Sequence, residues 1–480
     1  MTSAADDTYV ENHTFDELKV GDSAGITRTV TADDVQVFAA VSGDVNPAHL
    51  DPAFAQSDIF HRVIVHGMWG GALISGVLGV KLPGPGTIYL DQSLKFSHPV
   101  DIGDTITATV TVAEKKPPHQ IVLLDCRCTN QRGEEVISGQ AVVKAPTEKV
   151  RRPRIALPEV RLTRHDRFRT LLAQAHAGGA PAVTAVVHPC DATAILAVSD
   201  AAAAGLIAPV LIGPEAKIHA AAEAAGVDIG AFRLIATPHS HAAAAQGVAL
   251  ARSGEAQLLM KGSLHTDELM SAVVATEGGL RTERRISHVY LMDVASYPRP
   301  LLITDAAINI APDLEAKRDI VQNAVELAHA IGTATPRVAI LAAVETVNCK
   351  MRSTLEAAAL CKMADRGQIT GAILDGPLAF DNAVSPEAAK EKGIVSPVAG
   401  QADILLVPDL EAGNMLAKQL SFLAGADAAG VVLGARVPII LTSRADSART
   451  RIASCALAVL VARAGVAAAP GGLQTDAVAA

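Results

Sequence analysis

The stretch Phe38-Ala39-Ala40-Val41-Ser42-Gly43-Asp44-Val45-Asn46-Pro47-Ala48-His49-Leu50-Asp51-Pro52 decides how the front of the chain is read. A helical run of small and apolar residues ends at Ser42-Gly43. A turn of Gly, Asp, Asn and Pro follows. Glycine supplies unusual backbone angles, Asp and Asn bond their own backbone, and Pro47 stops any helix. Such a turn can hold two side chains toward a common point. The two that move protons are Asp44 and His49, and a carboxylate beside an imidazole can activate a water and protonate a carbon in one site. The bland reading is that both are solvated or capping residues.

Outward from the turn, Thr31-Ala32-Asp33-Asp34 is a good helix start, with Thr31 as cap and acids in the first turn. His66 to Leu82 reads as a helix crowded with glycine, at 67, 70, 71, 76 and 79. Glycine weakens an isolated helix, so this one is expected to be approached closely and buried on every side. His66 itself reads as a plain helix-start residue. Strand patterns follow at Thr87–Phe96, Thr105–Ala113, Ile121–Asn130 and Glu135–Lys144, with turns at Pro117-Pro118 and Gln131-Arg132-Gly133. One apolar helix wrapped by antiparallel strands is the expected front domain. Cys126 and Cys128 lie two apart in a strand and face the same side, which suits core packing.

The turn resembles the hydratase motif of the MaoC-like, R-specific enoyl-CoA hydratase family. Ser42, Gly43, Asp44, Asn46, Pro47 and His49 fit the pattern, as do Pro52-Ala53-Phe54-Ala55 and Ile64-Val65-His66-Gly67-Met68. The resemblance covers about the first third of the chain. It implies a hot-dog fold that pairs into dimers, and hydration of a 2-enoyl-CoA. It also implies Asp44 and His49 as catalytic residues oriented by Asn46, with the Gly67 N–H polarising the thioester carbonyl.

At 480 residues the chain is too long for one ordinary domain. Half of it is hydrophobic but only 3% is aromatic, so Ala, Val, Ile and Leu do the packing, as in α/β enzymes. A net charge of -9 without a large basic block excludes nucleic acid as a partner. None of the six cysteines forms a zinc spacing, and scattered thiols fit a reducing cytoplasm. The acidic start shows no signal peptide, and Ile452–Ala469, interrupted by Arg463, reads as a core helix rather than a membrane span. Residues 145–162, rich in Pro, Arg, Lys and Glu, read as connecting chain. The expected division is 1–147, a linker at 148–162, and 163–480. Arg151-Arg152-Pro153-Arg154 reads as linker, with a docking patch for an anionic cofactor as the lesser reading.

From Arg164 onward strand-length apolar runs alternate with helical patterns, which means a mainly parallel sheet covered on both faces. The length suggests two α/β lobes around a cleft, with function at the carboxyl ends of strands. Four strand ends stand out. In Met260-Lys261-Gly262-Ser263-Leu264-His265-Thr266 a lysine, free N–H groups and a hydroxyl suit an oxyanion or phosphate. The others are Leu374-Asp375-Gly376-Pro377, the run from Val407 to Met415 with Glu411 and Asn414, and Leu441-Thr442-Ser443-Arg444-Ala445-Asp446-Ser447. Each also has a structural reading: a surface lysine, helix caps, a loop asparagine, a charge pair at a helix start.

Together these stretches, with Ser396-Pro397-Val398-Ala399-Gly400 and Ala402-Asp403, resemble the phosphate acetyl/butyryltransferase family, its butyryl branch more closely. The resemblance covers nearly all of 165–465. It implies the two-lobed fold of isocitrate-dehydrogenase-like enzymes, usually dimeric, and reversible acyl transfer between coenzyme A and inorganic phosphate. Such transfer passes through one tetrahedral oxyanion and requires no metal. Arg444 can grip phosphate bidentately while Ser443 donates a hydrogen bond. Acetyl-specific enzymes place a catalytic carboxylate where Thr450 falls here; Asp446 is the available substitute, and the thiol base stays open. The combined expectation is a bifunctional enzyme with Ser443, Arg444 and Asp446 in the second catalytic set. Lys261, Gly262, Thr266, Asp375, Glu411 and Asn414 are its binding residues. No cofactor is permanently bound, acyl-CoA and phosphate are substrates, and both domains join in a homo-oligomer. The alternative is one active domain beside a degenerate acyl-CoA-binding or oligomerisation module. A nicotinamide-linked dehydrogenase on the same rear fold is disfavoured by the lack of a G-x-G-x-x-G after a strand and of an aspartate cluster for a metal.

Overall fold

The computed structural model describes residues 8–157, 160, 162, 166–441 and 446–465. Two compact units divide the chain, Met1–Leu162 and Thr163–Ala480.

The first unit runs β1 (Tyr9–Glu11), β2 (Ser23–Thr29), α1 (Ala32–Ser42), α2 (Pro47–Leu50), α3 (Pro52–Ser57), α4 (Gly67–Val80), β3 (Ile88–Phe96), β4 (Thr105–Lys116), β5 (Ile121–Thr129), β6 (Glu135–Lys144) and β7 (Arg151–Pro153). Thr31 caps α1 through a reciprocal bond pair with Asp34. The main sheet is antiparallel in the order β2-β4-β5-β6-β3. Alternation along β4 and β5 turns Ile106, Ala108, Val110, Val112, Val122, Leu124, Cys126 and Cys128 inward. They pack with Trp69, Ile74, Val77 and Leu78 of α4. Each Val, Ile or Leu among them contributes about 1.5–3 kcal/mol when fully buried.

Two expectations need correction here. The glycines of α4 serve close approach on one side only. A Cβ at Gly70 would stand 2.3 Å from Cδ1 of Ile137, whereas one at Gly79 would meet nothing. Met68, Ala72 and Ser75 are exposed, so the helix is not buried all round. The stretch 148–162 is not all linker either. Arg151–Pro153 pairs with Tyr9–Glu11 in a separate antiparallel ribbon, and Arg151 lies over the Tyr9 ring.

The second unit continues with α5 (Asp166–Ala177), β8 (Ala182–Val187), α6 (Ala192–Ala203), β9 (Ile207–Gly213), α7 (Glu215–Ala225), β10 (Arg233–Ala236), α8 (Ser240–Ser253), β11 (Leu258–Lys261), α9 (Thr266–Val273), β12 (Ser287–Asp293) and β13 (Leu301–Thr304). Then come α10 (Leu314–Ala330), β14 (Arg337–Leu341), α11 (Arg352–Asp365), β15 (Ile373–Leu378), α12 (Phe380–Val384), α13 (Pro386–Glu391), β16 (Ile404–Leu406), α14 (Leu410–Leu423), β17 (Asp427–Leu433), β18 (Ile439–Ile440) and α15 (Ala448–Arg463). Helix α15 buries its middle, as a core helix does, and no helix among the described residues is long and apolar enough to cross a membrane.

The expected lobes are two parallel blocks within one eleven-stranded sheet, β10-β9-β8-β11-β18-β17-β12-β13-β16-β14-β15. The block from β10 to β18 is parallel, and so is the block from β13 to β15. Strands β17 and β12 join them by three antiparallel steps, so the blocks run in opposite directions. Their carboxyl ends therefore lie on opposite edges of the sheet.

One buried ion pair stands out. Lys317 of α10 bonds Glu356 of α11 at 2.6 Å, with both side chains nearly closed to solvent, and Arg352 bonds the other oxygen at 2.6 Å. Removing one partner of such a pair strands the other charge. Glu356→Ala is expected to destabilise the second unit by about 3–5 kcal/mol. A thermal melt unchanged by the substitution would contradict this.

Candidate functional sites

In the first unit Gly43 closes α1 with φ 75° and sends the chain into the turn. Asp44 Oδ1 accepts the Asn46 N–H at 3.2 Å, and Asn46 Oδ1 accepts the Ala48 N–H at 3.1 Å, capping α2. Asn46 thus shapes the turn. On α2, Nδ1 of His49 lies 2.7 Å from the Ile64 carbonyl oxygen. A carbonyl only accepts, so Nδ1 carries the proton and Nε2 keeps the lone pair of the neutral ring. His66, just ahead of α4, puts Nε2 3.1 Å from the Asp44 carbonyl and its ring centroid 4.0 Å from that of His49.

A carboxylate oxygen of Asp44 and one ring nitrogen each of His49 and His66 fall within 4.8 Å of one another. His49, His66 and Gly67 line a cavity of about 280 Å³, walled by Trp69, Phe96 and Ile137. Gly67 is the first residue of α4, so its N–H has no acceptor within the helix. A Cβ there would come within 2.9 Å of the Phe96 ring. The structure therefore brings Asp44, His49, Asn46 and Gly67 together. It adds His66, which the sequence reading passed over as a helix-start residue; its place in the matching stretch Ile64–Met68 was the available signal. Burial lowers the His66 pKa first of all, with the neighbouring His49 charge adding to it. Two imidazoles and a carboxylate at this spacing could also hold a divalent cation, a set that cysteine spacing could not reveal. A cation there would withdraw both proton-moving groups from acid–base work.

In the second unit Lys261 ends β11, which pairs in parallel with β18. Its Nζ bonds the carbonyls of Gly262 and Leu264 at 3.1 and 3.2 Å. Ser443 and Arg444 lie outside the described residues. Asp446 precedes the Ser447 cap of α15 and lines a cavity of about 400 Å³ with Tyr290, Lys418, Ser447 and Thr450. Tyr290 gave no signal in the sequence. Burial, and then the Asp446 charge, raise its pKa.

The remaining expected binding residues are placed otherwise. Thr266 opens α9 and lines a different cleft, whose arginines 281, 284, 285 and 318 are matched by acids at 267, 283, 313, 315 and 319. Gly262 is there for close approach: a Cβ would meet the carbonyl oxygens of Val187 and His188 at 2.5 and 2.6 Å. Gly262→Ala is expected to cost about 1–3 kcal/mol through overpacking, read as a lower melting temperature in the full chain. Asp375, Glu411 and Asn414 belong to the block of opposite direction. Strand β15 stands seven strand steps from β11, roughly 34 Å at sheet spacing. Within one chain Asp375 therefore lies far from Lys261. Asp375 bonds the Gly376 N–H, Glu411 is exposed in the first turn of α14, and Asn414 holds the Ala306 carbonyl at 3.1 Å.

Comparison with known proteins fits both units. The Phosphate acetyl/butaryl transferase family model matches residues 237–459, and the MaoC like domain model matches residues 19–127. A phosphate acetyltransferase of Rhizobium meliloti is 66% identical over 62% of this chain and 93% of its own length. That name lies on the acetyl side, whereas the residues quoted above pointed to the butyryl branch. A solved branched-chain phosphotransacylase from Enterococcus faecalis V583 is 29% identical over 58% of this chain and 99% of that one, with a TM-score of 0.53. A solved R-hydratase from Pseudomonas aeruginosa is 44% identical over 32% of this chain and 100% of that one, with a TM-score of 0.32. The chain belongs to the phosphate acetyl/butyryltransferase family and carries a MaoC-like hydratase domain ahead of its transferase domain.

Proposed function

We propose that the chain is a bifunctional acyl-CoA enzyme. The first unit hydrates a 2-enoyl-CoA in the R sense, and the second moves an acyl group reversibly between coenzyme A and inorganic phosphate. The observation that carries the first reading is the cluster of Asp44 with His49 and His66, beside a cavity that His49 and the Gly67 end of α4 line. With its Nδ1 proton committed to Ile64, His49 offers Nε2 to a water that attacks C3. Asp44 handles the proton that the water gives up through His49 and that C2 receives, and the Gly67 N–H holds the enolate oxygen. The two proton roles can be exchanged, because the pair acts as a unit.

In the second unit phosphate attacks the thioester carbonyl, one tetrahedral oxyanion forms, and the thiolate leaves. Arg444, Ser443 and Lys261 are assigned to phosphate and oxyanion, and Asp446 to the thiol proton in the reverse direction. A free thiol has a pKa of about 8.5, so a nearby carboxylate assists. The isocitrate-dehydrogenase-like description, a homo-oligomer and a cytoplasmic location belong to the same proposal. A panel of acyl-CoAs assayed with and without phosphate, following thiol release and enoyl absorbance, tests both halves. Phosphate-dependent thiol release without any enoyl hydration would leave the first unit as a binding or oligomerisation module.

A further inference from the structure

We propose that His66 is a positioning residue of the hydratase site, holding Asp44 and the Gly67 N–H at a fixed separation. The inference rests on the hydratase reading above. His66 lies further along the chain than the Asp44 turn, and is covalently next to Gly67. Its Nε2 donates to the Asp44 backbone carbonyl at 3.1 Å. A single ring thus ties the proton donor to the helix end that faces the enolate oxygen.

The turn needs such a tie. Asp44, Val45 and Asn46 are exposed, and the bonds within the turn are local ones, from Asn46 N–H to Asp44 and from Ala48 N–H to Asn46. His66, by contrast, is only 2% exposed. Its ring is held between His49, at a centroid distance of 4.0 Å, and Phe38 of α1, at 5.1 Å. Nδ1 is buried without a hydrogen-bond partner, so the ring is anchored through Nε2 alone. The titratable groups around it are Asp44 on the turn and His49 on α2, with His98 beyond β3 lining the same cavity. Burial lowers the pKa of the ring and so favours its neutral form, in which Nε2–H is the donor.

The test compares His66→Phe with His66→Gln in the full-length chain, using crotonyl-CoA. Phenylalanine keeps the ring packing and removes the donor. Glutamine returns an N–H near the position of Nε2. Displacing a catalytic group by about 1 Å can cost about 10²-fold, so His66→Phe is expected to lower kcat to that extent with KM nearly unchanged. His66→Gln is expected to recover much of the loss. Wild-type kcat in His66→Phe overturns the inference. So does equal impairment of both variants, or a parallel change of kcat and KM with a lowered melting temperature, which is the mark of packing alone. An unmodified chain that fails to hydrate crotonyl-CoA overturns the hydratase reading itself, and the inference with it.

Discussion

Asp44→Asn is expected to abolish hydration of crotonyl-CoA while leaving phosphate-dependent release of coenzyme A unchanged. Asparagine has the shape of aspartate. Its amide oxygen can still accept the Asn46 N–H that Asp44 Oδ1 accepts at 3.2 Å, so the turn and α2 are retained. What disappears is a group able to take up and give back a proton. A positioned acid–base group contributes about 10²–10⁴-fold to rate, and the loss should fall in that range. Loss of the enoyl absorbance follows the reaction directly. The transferase activity of the same preparation serves as the internal control. Hydration at the normal rate in this variant would remove Asp44 from the mechanism.

Arg444→Ala is expected to cripple phosphate-dependent thiol release and spare the hydratase. Phosphate carries its charge on several oxygens, and a planar guanidinium meets two of them at once. Removing one preorganised stabiliser of a developing oxyanion costs about 10²–10³ in turnover. Lysine keeps the charge but not the fork, so Arg444→Lys should recover little. Equal transferase activity before and after the alanine change would exclude the proposed phosphate site.

The two sites were unequally legible. Asp44, Asn46 and His49 share one turn, and turn chemistry is local, so sequence spacing was enough to bring them together. His66 enters that site from the start of a separate helix, through a contact between segments that no local pattern encodes. Asp375, Glu411 and Asn414 were grouped with Lys261 from sequence, and the structure sets Asp375 seven strand steps from β11. All three follow or occupy strands that read well from their apolar runs, as do Lys261 and Asp446. A fully buried strand has apolar residues on both faces, however, and its sequence carries no sign of which way it runs in the sheet.

Periodicity and turn chemistry were therefore sufficient for the kinds and order of elements: the Thr31 capping box, the inward alternation of β4 and β5, the helices from Leu314 and Leu410, and the proton-moving turn. Long-range pairing was left to the folded chain. It set β17 and β12 antiparallel between two parallel blocks, sent the carboxyl ends of those blocks to opposite edges, paired the Arg151–Pro153 segment with the N-terminal strand, and buried His66 against His49. Hydrogen-bond ladders and close packing join residues far apart in sequence, and their geometry exists only once the sheet is assembled.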